Sequence, residues 1–421
     1  MAPIEPECQR AFAVDIIRRL RAAGYEAYWA GGCVRDQLLG RLPNDYDVAT
    51  SATPAQVRRV FGLRHTRAIG AAFGVITVLG PERAGSIEVA TFREDDDYRD
   101  GRHPVSVRFS TAKIDAQRRD FTINGLFYDP QADRVIDFVG GQADLQQRLI
   151  RAIGNPRARF DEDRLRMLRA VRFAATFQFQ LEQATHRAIQ EMAAGISLVS
   201  AERIGTEMQL MLLHAARADA VEVLRGTGLL GVLLPELEAA CAGADGRVRW
   251  RETLRVLAAL REPELPLALA ALLHQTGSVS LVEEVGRRWR LPKRHTQRAA
   301  WLVANLHQVD QATAIAWPRL QRLLICDDVH ALLGLYEAMA GVDSPALAFC
   351  RARLALPPEV LNPPPLVTGD DLIAHGMKPG KAFHWLLDQL RDAQLNQVVT
   401  TRGEALELAG RLLAETRNGP S

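Results

Sequence analysis

Apolar residues change their spacing once along the chain. In the first third they fall in short β-rich runs bounded by glycine turns: Ala27–Ala30 before a double glycine, Val75–Leu79, Ile87–Phe92 and Val105–Phe109. Such runs predict strands of an antiparallel or mixed sheet in a compact α/β head. From about Leu145 onward, apolar positions recur at helical spacing, as in Leu165, Leu168, Val171 and Ala175, and again in Leu281, Val285 and Trp289. That periodicity predicts helix almost to the end. Three breaks punctuate it: Gly154-Asn155-Pro156, Ala242–Gly246, and Leu356–Pro365, whose five prolines forbid continuous helix. The partition expected is a head, a neck, a body and a tail. No fixed-period repeat runs through the helical part, so a solenoid is not supported.

Composition narrows the class. A chain of 421 residues has length for two to four domains. With 48% hydrophobic and 24% charged residues it is neither disordered nor fibrous. The net charge is only +2, so a nucleic-acid surface has to come from local clustering. Only Lys113, Lys293, Lys378 and Lys381 among 52 basic residues are lysine; the rest are arginine, whose planar donors suit phosphates and base edges. Five scattered cysteines with no CxxC pair speak against structural zinc or a disulfide framework. Ala11–Ile17 is interrupted by Asp15 and followed by Arg18 and Arg19, so no secretion signal is expected. With no apolar run long enough for a bilayer, no membrane partner is expected and a cytoplasmic compartment is.

The chemistry begins at Gly31-Gly32-Cys33-Val34-Arg35-Asp36, followed by Asp45-Tyr46-Asp47. Glycines after a strand let backbone N–H groups approach an anion, and Arg35 adds a fixed positive charge, which makes a candidate triphosphate cradle. Asp45 and Asp47 are two apart, so in extended backbone both point to one face and can share a hard divalent ion with phosphate oxygens. Phosphoryl or nucleotidyl transfer with two metals usually wants a third carboxylate on a neighbouring strand, and Glu88 is the candidate. Farther on, a helix starting near Asp161 would place Glu162, Arg166 and Arg169 on one face and Leu165, Leu168 and Val171 on another. Such acids in a first turn are also an ordinary solvated helix start.

Taken together, Gly31–Asp36 with Asp45/Asp47, the run Arg118-Arg119-Asp120-Phe121-Thr122-Ile123-Asn124, and Glu162-Asp163-x-x-Arg166 closely resemble the class II tRNA nucleotidyltransferase and bacterial poly(A) polymerase family. The resemblance is dense over the first 215 or so residues and looser in the tail. It implies a polymerase-β-like nucleotidyltransferase head followed by an all-α neck, body and tail, at residues 1–144, 145–215, 216–356 and 366–421. It implies two Mg²⁺ ions held by Asp45 and Asp47, with Gly31, Gly32, Arg35, Arg118, Arg119, Asp120, Asn124, Glu162, Asp163, Arg166 and Arg169 around the nucleotide. By the same likeness Asp120 accepts from the ribose 2′-OH, Arg118 and Arg119 neutralise phosphates, and Glu162 orients its neighbours. Cytosine and adenine both present an amine donor beside a ring-nitrogen acceptor, whereas uracil and guanine present the reverse. One carboxylate, Asp163, and one guanidinium, Arg166, would therefore admit CTP and ATP without a nucleic-acid template.

Further segments follow the resemblance. The charged segment Arg93–Pro104 corresponds to a loop associated with the switch from C to A addition, and Asp137–Leu145 to the head-to-neck connection. Eight arginines from Arg148 to Arg172, among them Arg157, Arg159 and Arg172, form the densest basic run and a candidate RNA cleft. Leu272–Gly277 resembles an HD phosphohydrolase motif, but Gln275 stands where a metal-binding aspartate is needed, so no hydrolase activity is expected. In the tail, Lys378 and Lys381 of a Lys-Pro-Gly-Lys turn are expected at the RNA. The activity implied is addition of CCA to the 3′ end of tRNA, with no protein partner. Poly(A) polymerase is the rival, although Ile69–Phe73 lacks the basic pair that poly(A) polymerases often carry there. CC-only or A-only addition, and an RNA-binding relative without catalysis, complete the alternatives.

Overall fold

The structure is a computed structural model that describes residues 4–95, 107–377 and 381–418. Two compact units emerge: Met1–Arg247 with Arg287–Leu291, and Val248–Gly286 with Pro292–Ser421. The partition into head, neck, body and tail is finer than this division, and the expected body is shared between the two units.

The first unit opens on α1 (Pro6–Ala22), whose apolar stripe Ala13, Ile16, Ile17 and Leu20 is fully buried. Strands β1 (Ala27–Ala30), β2 (Val48–Thr50), β3 (Thr66–Arg67), β4 (Val75–Leu79) and β5 (Ser86–Thr91) follow. The short ribbon β6 (Arg93–Asp95) and β7 (Val107–Phe109) and then β8 (Phe127–Asp129) and β9 (Arg134–Ile136) complete the head's strands. The seven-stranded sheet runs β3-β4-β5-β2-β1-β8-β9, and it is mixed, because β2 pairs parallel with β5 while the other pairs are antiparallel. Strand β5 alternates cleanly, with Ile87 and Val89 buried and Ser86 and Glu88 exposed, as a sheet with one covered face requires. Helix α3 (Pro54–Phe61) covers that buried face, packing on β4 and β5 with Val57 and Phe61 turned inward. Thr53 and Gln56 close its first turn as a capping box. Two short helices, α2 (Gly32–Leu38) and α4 (Ala112–Gln117), belong to the site described below.

Among the described residues after α5 (Gly141–Gln147) the elements are helices apart from a two-residue parallel pair, β10 (Leu149–Ile150) with β11 (Gln180–Leu181). Asp137 caps the approach to α5 by accepting from the amides of Val139, Gly140, Gly141 and Gln142. A side chain on Gly141 would come 2.2 Å from the Thr122 carbonyl, so glycine there is a steric requirement, while Gly140 before it takes φ +80°.

The sequence expectation of a helix starting near Asp161 is corrected by the structure. Asn155 caps a helix six residues earlier, accepting from Arg157 and Ala158 N–H, with Pro156 at its first position. That helix, α6 (Pro156–Glu162), ends at Asp163, which is extended (φ −152°, ψ 104°). The next, α7 (Leu165–Phe177), starts at once, with the Leu165 amide donating to Asp163 Oδ1. The acidic motif thus occupies a joint between two helices. Helices α8 (Gln183–Met192) and α9 (Ala201–Leu213) pack behind it, and Gly205 of α9 lies so close to Trp289 that a Cβ would meet its carbonyl at 2.1 Å.

In the second unit, Leu265–Leu273 is apolar all round and almost wholly buried. His274 follows it, also buried, with Nδ1 2.7 Å from the Ala271 carbonyl and Nε2 3.0 Å from Gln275 Nε2; burial lowers its pKa. Residues after the proline-rich segment build a small core of their own from Val367, Leu372, Leu386, Leu390, Val399, Ala405 and Ala409. Among the described residues no helix is long and apolar enough to cross a membrane.

Candidate active site

The first wall of the site is set by the turn out of β1. Gly31 has φ +75°, a conformation L side chains rarely adopt, and an added Cβ would lie 2.8 Å from Arg119 Nη1. The amide of Gly31 donates to Leu126, and α2 begins at Gly32. Arg35 of α2 is buried, with Nη1 2.6 Å from Asn124 Oδ1, Nε 2.8 Å from Asp36, and its guanidinium 4.4 Å from the Phe177 ring centroid. Burial lowers its pKa, yet Asp36 and Asp120 oppose that shift.

The two aspartates reach this wall because the residue between them faces inward. Tyr46 is buried, its ring 4.9 Å from that of Trp29, while Asp45 and Asp47 on either side are exposed. Asp47 immediately precedes β2, and since Val48 pairs with Val89, Glu88 stands beside Asp47. Crowding is the consequence. Although Asp47 is open to the cavity, the atoms packed around it desolvate its carboxyl; that, and then the charge of Glu88, push it up to about 6, while Arg119 pulls it back and Asp45 adds a smaller push. Three oxygen donors that repel one another are a donor set suited to a hard cation. Among the described residues there is no ready group of three or more acidic, His or Cys side chains in position around a metal. Mg²⁺ does not require one, because it is usually held by one or two carboxylates and completed by substrate phosphates and water.

The opposite wall is a network of ion pairs. Buried Asp120 accepts from Arg169 Nη2 at 2.7 Å, Arg169 Nε at 2.9 Å, its neighbour's amide at 2.8 Å and Asn124 Nδ2 at 3.1 Å. Burial alone would raise this carboxyl; Arg169 and those hydrogen bonds outweigh it and hold it below the usual range. A carboxylate has about four acceptor sites, and all four are taken. Asp163 accepts from Arg203 at 2.7 and 3.1 Å and from Leu165 N, which leaves one. Arg166 donates Nη1 to Glu162 at 2.6 Å and to the Arg159 carbonyl at 3.0 Å, and Nη2 to the Arg118 carbonyl at 3.5 Å. Two of its five N–H groups remain. Arg118 and Arg119 both bond buried Asp115, at 2.8 and 3.1 Å.

The two walls enclose one cavity of about 530 Å³, lined by Gly31, Gly32, Arg35, Asp47, Arg118, Arg119, Asp120, Asn124, Asp163, Arg166, Arg169 and Phe173. Eleven of those twelve are site residues expected from the sequence; Phe173 is the addition. Asp45 and Glu88 act on the cavity through the charge of Asp47, and Glu162 through its bond to Arg166. Arg157 pairs with Glu191, Arg159 with Glu162 at 2.8 Å, and Arg172 with Glu207 at 2.6 Å. Residues 96–106, which include most of the charged segment, and Lys378 lie outside the described residues, as does the side chain of Lys381. Sequence reasoning missed Asp115, Arg203 and Glu207. Arg203 and Glu207 sit one turn apart on α9, and no motif marks them.

Family models match twice: "Poly A polymerase head domain" over residues 27–151 and "Probable RNA and SrmB- binding site of polymerase A" over 178–241. The chain is 36% identical to a CCA-adding enzyme of Geobacillus kaustophilus, over 93% of each. It is 32% identical to that of Lactiplantibacillus plantarum over 96% of this chain and 97% of the other. This chain belongs to the CCA-adding enzyme family. Among solved structures, the CCA-adding enzyme of Bacillus stearothermophilus in complex with CTP superposes with a TM-score of 0.77 at 30% identity, covering 97% of this chain and 98% of that one. The Thermotoga maritima enzyme complexed with tRNA gives 0.66 at 18% identity, a likeness of fold alone, over 96% and 95% of the two chains.

Proposed function

We propose that this chain is a template-independent tRNA nucleotidyltransferase that adds CCA to the tRNA 3′ end from CTP and ATP, releasing pyrophosphate. One observation carries the reading: a single cavity brings Gly31, Gly32 and Asp47 together with Asp163 and Arg166, so one nucleoside triphosphate can span both groups. Relatives named as CCA-adding enzymes over nearly the whole chain support it.

Asp45 and Asp47 would hold Mg²⁺, with Glu88 beside them; when bound, the ions neutralise charge on the transferring phosphate and the leaving pyrophosphate. Gly31, Gly32 and Arg35 receive the triphosphate, with Arg119 above the turn. The acceptor site left on Asp163 takes the exocyclic amine of C or A, and an N–H left on Arg166 donates to the ring nitrogen. Uracil and guanine would set acceptor against carboxylate and donor against guanidinium. A ribose contact to Asp120 would displace a present donor, and Asn124 Nδ2, the longest at 3.1 Å, is the one to yield. The tRNA contacts expected at Arg157, Arg159 and Arg172 would likewise be made by guanidinium groups already paired with carboxylates. The five cysteines are thiols rather than disulfides, which accords with a reducing, cytoplasmic setting.

Single-turnover extension of a tRNA ending at its discriminator base, with CTP, ATP or both, is the test. The reading expects CC from CTP alone, CCA from both, and no product from an Asp45→Ala variant. Long A tracts without CTP would identify a poly(A) polymerase instead.

A further inference from the structure

One edge of the head sheet has no part in the reading above. From Val48 to Pro81 the chain has no Asp or Glu but carries Arg58, Arg59, Arg64 and Arg67. Arg58 is spoken for, with Nε 3.4 Å from Thr66 Oγ1. Arg67 lies on the edge strand β3, is exposed, and has neither ion pair nor side-chain hydrogen bond among the described residues. This is the reverse of the neck, where most of the arginines between Arg148 and Arg172 are paired with a carboxylate.

Register places Arg67 relative to the site. Arg67 is opposite Thr77 and Thr77 is opposite Glu88, while Glu88 stands beside Asp47. Residues level with one another on neighbouring strands share a face. Ile76, Val78, Ile87 and Val89 are buried on the face that α3 covers, so the row Asp47, Glu88, Thr77, Arg67 lies on the open one. At about 4.8 Å per strand, Arg67 is roughly 10 Å from Glu88 and roughly 15 Å from Asp47. An RNA whose 3′ hydroxyl reaches the carboxylates must bring its upstream phosphates past this acidic group. In that row the cation able to receive one is Arg67, and the acid-free strip around it offers no opposing charge.

We propose that Arg67 is an RNA-binding residue of the head, which holds a backbone phosphate of the strand whose 3′ hydroxyl is extended. The proposal rests on the reading of the chain as a tRNA nucleotidyltransferase. Its test compares the full-length chain with Arg67→Glu, Arg67→Lys and, as a control on α3 across the sheet, Arg59→Glu. Arg67→Glu is expected to raise the KM for tRNA about three- to tenfold. The slope of log KM against log salt should flatten by about one, with KM for CTP and kcat unchanged. Arg67→Lys is expected near wild type. An unchanged tRNA KM, an equal effect from Arg59→Glu, or a rise in the KM for CTP instead would each overturn the proposal. If the wild type extends no tRNA, it is the catalytic reading that fails. Fluorescence anisotropy of labelled RNA then decides about Arg67: weaker binding by Arg67→Glu keeps the contact, and equal binding removes it.

Discussion

On one side of the cavity Asp45, Asp47 and Glu88 crowd together, and Asp47 is pushed up to about 6 by its surroundings. On the other side, Asp120, Asp163, Glu162 and Glu207 each accept from an arginine at 2.6 or 2.7 Å. The metal side is compensated only in part, by Arg119, in the protein alone; the base side is compensated almost to saturation. The difference matches what each side has to do. A cation and a triphosphate can complete the first set of charges, so protein groups that neutralised it in advance would compete with them. A base edge is neutral and must be read by fixed donors and acceptors, and ion pairs fix them at little cost in mobility.

The largest break in this contrast comes from Asp47→Asn. Extension should fall on the order of 10³-fold or more in single-turnover assays, because a charge aimed at the reacting phosphate is gone. Stability should nevertheless hold or rise at pH 7, since the substitution relieves repulsion. The pH dependence carries the sign: a carboxyl whose folded pKa is raised from 3.8 to about 6 loses stability as pH rises through that window. The melting temperatures of wild type and variant should therefore differ at pH 7 and converge toward pH 4. A variant that melts lower at pH 7 would show that Asp47 is a structural group.

Asp120→Asn is the mirror experiment on the base side. It removes the close partner of Arg169, leaving Glu207 at 3.9 Å, and costs about 2 kcal/mol, read from denaturant midpoints at pH 7. Here the folded carboxyl is held down, so its stabilisation is present above the ordinary Asp range and lost as pH falls below about 4. The penalty of the variant should shrink there, opposite in sense to that of Asp47→Asn. A cost that does not change with pH would mean the hydrogen bonds matter and the charge does not.

How much of this could be read without coordinates depended on the distance over which each feature acts. Gly31, Asp45 and Asp47 are legible because a turn and a two-residue alternation are local, and Tyr46 is the apolar residue that makes the alternation work. Glu88 is one step harder, since it needs a strand assignment and a register, and both follow from Ile87 and Val89. The start of α6 is legible in Asn155-Pro156, a cap and a first-turn proline, although the charges of Glu162 and Asp163 also resemble a helix start. Asp115 is legible too, three and four residues before Arg118 and Arg119 at helical spacing, whereas Arg203 and Glu207 have no such signal. Arg203 meets Asp163 across 40 residues of chain and Glu207 meets Arg172 across 35, and pairs between packed helices leave no period in the sequence.

Arg203 therefore offers the finest test of the contrast. It supplies two of the three hydrogen bonds that Asp163 accepts, and the third, from Leu165 N, fixes one oxygen only. In Arg203→Met the carboxylate keeps its place at the helix joint but can turn about its last bond, so the acceptor offered to a base no longer has one direction. Uracil, whose ring N–H is a donor, then finds an acceptor that the wild type denies it. The ratio of kcat/KM for CTP over UTP should fall about tenfold, in keeping with one misdirected polar contact, while extension with CTP itself falls less. Asp45 and Asp47 are untouched, so the loss should appear in selection before it appears in rate. If the ratio stays and the rate with CTP collapses, Arg203 holds the helices together and the direction of Asp163 is set by the backbone alone.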